Sequence, residues 1–163
     1  MITNLDIYLA IAEEALAESE RLEGLARAPK PDDAPGFIVK YDPERKSFKN
    51  SLVAIAFAGM YLEALFYILG VGKFGVAEYN KKHDRKSYIV KMKLLGLSEQ
   101  TIVAEGERFA GVRNALVHEK AIELGDITVD KIQVGQEEAR RAITFVKHVA
   151  ERLRGARHAT KLE

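Results

Sequence analysis

SLVAIAFAGMYLEALFYILG, residues 51–70, carries one charged side chain, Glu63. The stretch is long enough for about five turns of helix. It is apolar on every side, so a helix here has to be enclosed all round, by protein or by lipid. Its length meets the minimum for a membrane span, but a carboxylate in the second half would cost roughly 2.5–3.5 kcal/mol in a bilayer unless it met a partner there. We read it as the central helix of a soluble bundle, stopped by Gly70, and expect no membrane partner.

The flanking segments supply what a central helix needs around it. Upstream, Leu5, Leu9, Ala12, Leu16 and Leu22 recur at helical spacing with Ile7, Tyr8, Ile11 and Ala15 beside them. This predicts an amphipathic helix over 4–26, capped by Thr3 or Asn4. All four prolines, Pro29, Pro31, Pro35 and Pro43, follow. Helix cannot pass through that density of missing donors and fixed φ angles, so a loop is expected, with GFIVKY at 36–41 extended. Downstream, Ser98 precedes EQTIVAEGERFAGVRNALVHEK, with acids in the first turns and Lys120 at the end, the arrangement a helix dipole favours over about 99–119. LGDITVDKIQVG reads as a turn with a short strand, and 136–154 as a last amphipathic helix with Ile143, Val146 and Val149 or Ala150 inward. Lys161, Leu162 and Glu163 are set aside as residues a vector could supply. The expectation is an all-α fold of four or five helices around a single core, with one long proline-containing loop between the first two helices.

A chain of 163 residues is the size of one domain, burying roughly two thirds of its unfolded surface without a disulfide or zinc staple. It has no cysteine, which excludes CxxC metal sites and thiol nucleophiles and suits a reducing cytoplasm, the expected location. MITNLDIYLAIAEEALAE at the N-terminus places acids where a signal peptide carries Lys or Arg, so secretion is not expected. Gly-rich phosphate loops, HExxH and a nucleophile elbow are all missing, which argues against P-loop enzymes, zincins and α/β hydrolases. The interleaved aromatics of a single-strand binding platform are missing too. Neither a metal nor an organic cofactor is expected.

The net charge of +1 hides two opposed regions. Residues 73–93 carry seven Lys and Arg against two acids, while residues 1–24 carry six acids against Arg21 alone. They are either solvated faces that attract each other, within or between subunits, or, for the basic one with Lys81, Lys82, Arg85 and Lys86, a surface for phosphate.

Arg113-Asn114-Ala115-Leu116-Val117-His118 places a guanidinium, an amide and an imidazole within one and a half helical turns. Asn114 and His118, four apart, share a face, while Arg113 and His118 differ by about 140°. Arg113 falls at the edge of the apolar stripe Ile102, Phe109, Val112 and Leu116, whereas Asn114 and His118 face away beside Glu107 and Ala110. Glu63 is the expected partner of Arg113, since a lone carboxylate on an apolar helix and an arginine at a core margin each cost several kcal/mol if buried unpaired. That salt bridge alone would give Arg113 a structural role, and His118 alone reads as a surface or capping histidine. His83, His148 and His158 have no acid or nucleophile at suggestive spacing and read as incidental.

An Arg followed by a polar residue, with four residues before a His, late in a long helix of an all-α domain, resembles the HEPN family. The resemblance covers about 50–155, and its specific part is Arg113, Asn114 and His118. It implies a four- or five-helix up-and-down bundle that dimerises so that two motifs face each other across a shared cleft. It also implies metal-independent RNA cleavage, in a toxin or defence setting with an antitoxin protein as a further partner. The implied chemistry is coherent. The ribose 2′-hydroxyl attacks phosphorus, His118 moves the proton, Arg113 stabilises the transition state, and Asn114 orients the imidazole or binds phosphate. A twofold interface brings Arg113 of one chain toward His118 of the other and removes the 140° objection. Toxin members silenced by nucleotide transfer carry a tyrosine two residues after the histidine; here Glu119 and Lys120 follow, which puts that control in doubt. The alternative is a non-catalytic helical module of the same kind that dimerises and binds RNA or a partner protein.

Overall fold

The computed structural model describes residues 4–31, 35–39, 44–118 and 129–159, and of 27, 37–39, 116–118, 129–134 and 156–159 the backbone alone. Among them the chain is all-α, with six helices and one short ribbon. Helix α1 is Asn4–Ala26, α2 Lys46–Phe74, α3 Val76–Lys82, α4 Tyr88–Leu94, α5 Gln100–His118 and α6 Val129–Ala159. Between α1 and α2, β1 (Arg27–Pro29) pairs antiparallel with β2 (Phe37–Val39), Arg27 opposite Val39 and Pro29 opposite Phe37. The proline tolerated there ends its strand, and the extended segment expected at 36–41 is realised over 37–39.

The apolar stretch at 51–70 is the middle of α2, which packs against all five other helices. Tyr61, Phe66, Ile55 and Leu62 of α2 are fully buried with Met92 of α4, Ile102 of α5 and Val146 and Val149 of α6. Each such side chain contributes about 1.5–3 kcal/mol of burial. By length and composition α2 could cross a bilayer, but half of its apolar window is buried inside the protein.

Gly70 does not stop α2. The helix runs on to Phe74, and the glycine serves to admit the ring of Tyr79, from α3; a Cβ there would meet Tyr79 Cζ at 2.8 Å. The stop is Gly75, whose φ of +81° only glycine adopts without strain. At its other end α2 starts at Lys46, because a buried hydroxyl cluster ties this polar turn to α1. Ser19 Oγ donates to the Ser47 carbonyl at 2.9 Å and lies 2.9 Å from Ser51 Oγ, which is itself 3.1 Å from the same carbonyl. Buried hydroxyls persist only where they are bonded in this way.

Two further expectations are corrected. The turn and strand assigned to 124–135 is helix from Val129 onward, α6 starting well before 136; residues 119–128 lie outside the described residues. Gly135 punctuates nothing, since it is buried under the Phe48 ring, whose edge lies 2.7 Å from where a Cβ would stand. Six helices occur instead of four or five because the basic segment 73–93 folds into α3 and α4. Ile143, Val146, Val149 and Ala150 are buried as expected. The acids of α1 are answered by α6 rather than by residues 73–93: Arg140 bonds Glu20 at 2.7 Å and also Glu23, and Lys147 bonds Glu13.

Candidate functional site

Helix α5 sets the site. Ile102 and Phe109 bury one side of it, and Gly106 admits Ile89 and the Met92 sulfur, each 3.0 Å from where a Cβ would stand. This orientation turns Arg113 inward toward α2 and α4. Its stem lies on Gly59 of α2, with Cδ 2.7 Å from the position a Cβ would take. Its guanidinium carbon is 5.9 Å from the centroid of the Tyr88 ring, within the range of a cation–π contact. Arg113 Nε is shielded from solvent and, among the described residues, has no hydrogen-bond partner. Asn114, the next residue, is exposed, so the two diverge from one turn of helix. His118 ends α5, and its side chain lies outside the described residues, as does that of Leu116.

The Arg113–Glu63 salt bridge does not form. Glu63 Oε2 instead accepts from Lys91 Nζ at 2.7 Å, a lysine only 4% exposed where Glu63 is 44% exposed. A buried ammonium costs several kcal/mol without an anion, and Lys91 reaches the only acid on α2's apolar stretch. Arg113 has a ring face instead, and among the described residues it makes no ion pair.

Tyr88 is the residue of this site that sequence reading misses. It is 7% exposed, held between Phe66 at 6.1 Å and Phe109, stacked at 5.8 Å. Burial pushes its hydroxyl well above the ordinary phenol range; Arg113 pulls the other way, and Glu63 adds to the rise. Glu63 acts through space there, because the hydroxyl has no partner at hydrogen-bonding distance. Nothing in a single sequence distinguishes this tyrosine from the other five. The one signal was Gly59, a glycine in the middle of α2 where a helix interior disfavours it, marking a close approach.

The basic residues Lys81, Lys82, Arg85 and Lys86 are all exposed, with Lys82 donating to Glu78 at 2.9 Å. Two other cations of the segment are structural. Lys91 is paired as above, and Lys73 donates to the Leu94 carbonyl at the end of α4 at 2.7 Å. On the α6-facing side of α5 a cavity of about 340 Å³ has Phe109, Val112, Ala142 and Phe145 on its floor and Arg108, Arg141 and His148 on its rim. Both arginines are bound to Glu138. His148 thus borders a cavity that its sequence context does not announce. Among the described residues, no three His, Asp or Glu side chains are grouped as metal ligands would be. No family model matches the chain, and neither a curated protein nor a solved structure matches it.

Proposed function

We propose that this protein is a ribonuclease of HEPN type, cleaving RNA without a metal as a homodimer. In this reading Arg113 binds the scissile phosphate, His118 transfers the proton and Asn114 orients the imidazole or the phosphate. One observation carries it: among the described residues no acid pairs with Arg113, which sits in a partly buried position where Lys91 has taken the nearby Glu63. A permanently charged guanidinium with free donors in a low-dielectric setting is a ready anion site. The exposed Lys81, Lys82, Arg85 and Lys86 precede Tyr88 by a few residues, so a phosphate chain held there leads toward the Arg113 junction. A toxin or defence role, an antitoxin protein and a cytoplasmic location belong to the same reading, as does an up-and-down bundle arrangement of the core.

The inward lodging of Arg113 on Gly59 favours a second reading, a non-catalytic helical module that dimerises and binds RNA or a protein, with Arg113 as a structural pin. One experiment separates them: RNA degradation in EDTA, run beside size exclusion of the same sample. A dimer that cleaves, and loses cleavage in both Arg113→Ala and His118→Ala while staying folded, supports the nuclease. A folded wild-type chain that cleaves nothing, or an Arg113→Ala chain that unfolds, gives the module.

A further inference from the structure

A carboxylate bound to Arg113 would orient the guanidinium and also neutralise it. An aromatic face orients without neutralising, since the ring quadrupole attracts the cation and leaves the N–H donors in its plane to other acceptors. The junction is built in the second way. The Tyr88 ring lies under the guanidinium carbon, with Gly59 against its Nε end, and Tyr88 is itself immobilised between Phe66 and Phe109.

The helix that carries Tyr88 is pinned at both ends and in the middle. Ser87 caps α4 by accepting from Val90 N, Lys91 is tied to Glu63 of α2, and Lys73 of α2 holds the Leu94 carbonyl. Opposite the ring, Gly59 leaves just enough room for the Arg113 stem. We infer that Tyr88 is the positioning residue for Arg113: its ring face fixes the guanidinium while leaving charge and donors to an anionic oxygen of the RNA backbone. This rests on the nuclease reading of Arg113.

The test uses the full chain, with RNA cleavage in EDTA and, independently of activity, the NMR signal of the Arg113 side-chain Nε–H, assigned by its loss in Arg113→Lys. Tyr88→Leu is expected to lower kcat about 10- to 100-fold, the scale of a misplaced catalytic group, with KM changed by less than about threefold. Tyr88→Phe, which keeps the ring, is expected to recover kcat to within about threefold of wild type. The Nε–H signal should be ring-shifted and slow to exchange in wild type and Tyr88→Phe, and move to the position of a free arginine in Tyr88→Leu.

Unchanged kcat in Tyr88→Leu, or an equal loss in Tyr88→Phe, overturns the proposal, as does a signal that Tyr88→Leu leaves in place. Wild-type protein that cleaves no RNA sinks the nuclease reading instead, while the signal still reports whether Tyr88 holds Arg113. Should Tyr88→Leu fail to fold, Tyr88→Met decides. Its flexible side chain fills much of the space without offering a ring face, so an unmoved signal and unmoved kcat there refute the positioning role.

Discussion

Along the seam between α1 and α6, Arg140 answers Glu20 and Glu23, and Lys147 answers Glu13, all at roughly half exposure except Glu23. The junction of α2, α4 and α5 also holds two cations, but among the described residues only Lys91 has a carboxylate; Arg113 has a tyrosine face. The seam shows what folding alone asks of surface charge, which is loose complementarity between pairs that solvent screens and that are worth little individually. The junction departs from that rule where it is most expensive to do so, in a partly desolvated place. An unmatched cation there weakens the fold unless something outside the chain answers it, and that asymmetry directs attention to Arg113 rather than to the more numerous charges elsewhere.

The contrast can be broken most directly at Arg113. Arg113→Ala should reduce RNA cleavage by about 10²–10³, the loss typical of one transition-state donor, with the urea midpoint almost unmoved, and Arg113→Lys should not restore it. A variant that is inactive only because it is unfolded would make the junction no different in kind from the seam.

Next in size is Glu63→Gln, which strands the buried Lys91 ammonium. It should destabilise the chain by about 2 kcal/mol in urea titration, less than a fully buried pair would lose because Glu63 is half exposed. Lys91→Met, which removes the charge and keeps the stem, should cost less than Glu63→Gln. The opposite order would mean that the bond, not the stranded charge, is what matters.

Alkali sharpens the contrast from another side. Burial, with Asp84 and Glu63 adding to it, pushes the Tyr79 hydroxyl up to about 12, against about 10 in the unfolded chain. The folded state therefore holds a proton that the unfolded state releases, so this contribution is complete below about pH 10 and is lost as pH rises toward 12. Thermal midpoints should fall over that window, and by less in Tyr79→Phe. The smallest effect belongs to the seam: Arg140→Ala should cost about 0.5–1 kcal/mol at low salt and less at high salt.

Much of this architecture is legible in the sequence because periodicity and punctuation are local signals. The stretch at 51–70 identified the central helix, α1 and α5 fall within a residue of their expected limits, and the inward residues of α6 are the expected ones. Two glycines misled in a common way. Gly70 and Gly135 look like stops yet lie inside helices, because a glycine that ends a helix and one that admits a neighbouring ring are the same letter; only the positions of Tyr79 and Phe48, fixed by tertiary packing, tell them apart. Gly59 admits a neighbour in the same way, that neighbour being Arg113. At the site, the motif residues on α5 could be picked out by spacing, but the partner of Glu63 could not. Lys91 and Arg113 both compete for that carboxylate, and the choice depends on which is buried more deeply, a property of the packed state. Tyr88 was invisible for the same reason.

The Ser19, Ser47 and Ser51 cluster fixes more than proximity. If α1 slid along α2 by a single turn, the buried Ser19 hydroxyl would lose both of its partners across the interface, Ser47 and Ser51, so the axial offset of the two helices is set by chemistry inside the interface. The connection between them is thereby relieved of any duty as a ruler. Lengthening it, or cutting it, should leave the two helices to find the same alignment, and a chain supplied as two pieces split between α1 and α2 should reassemble in native register.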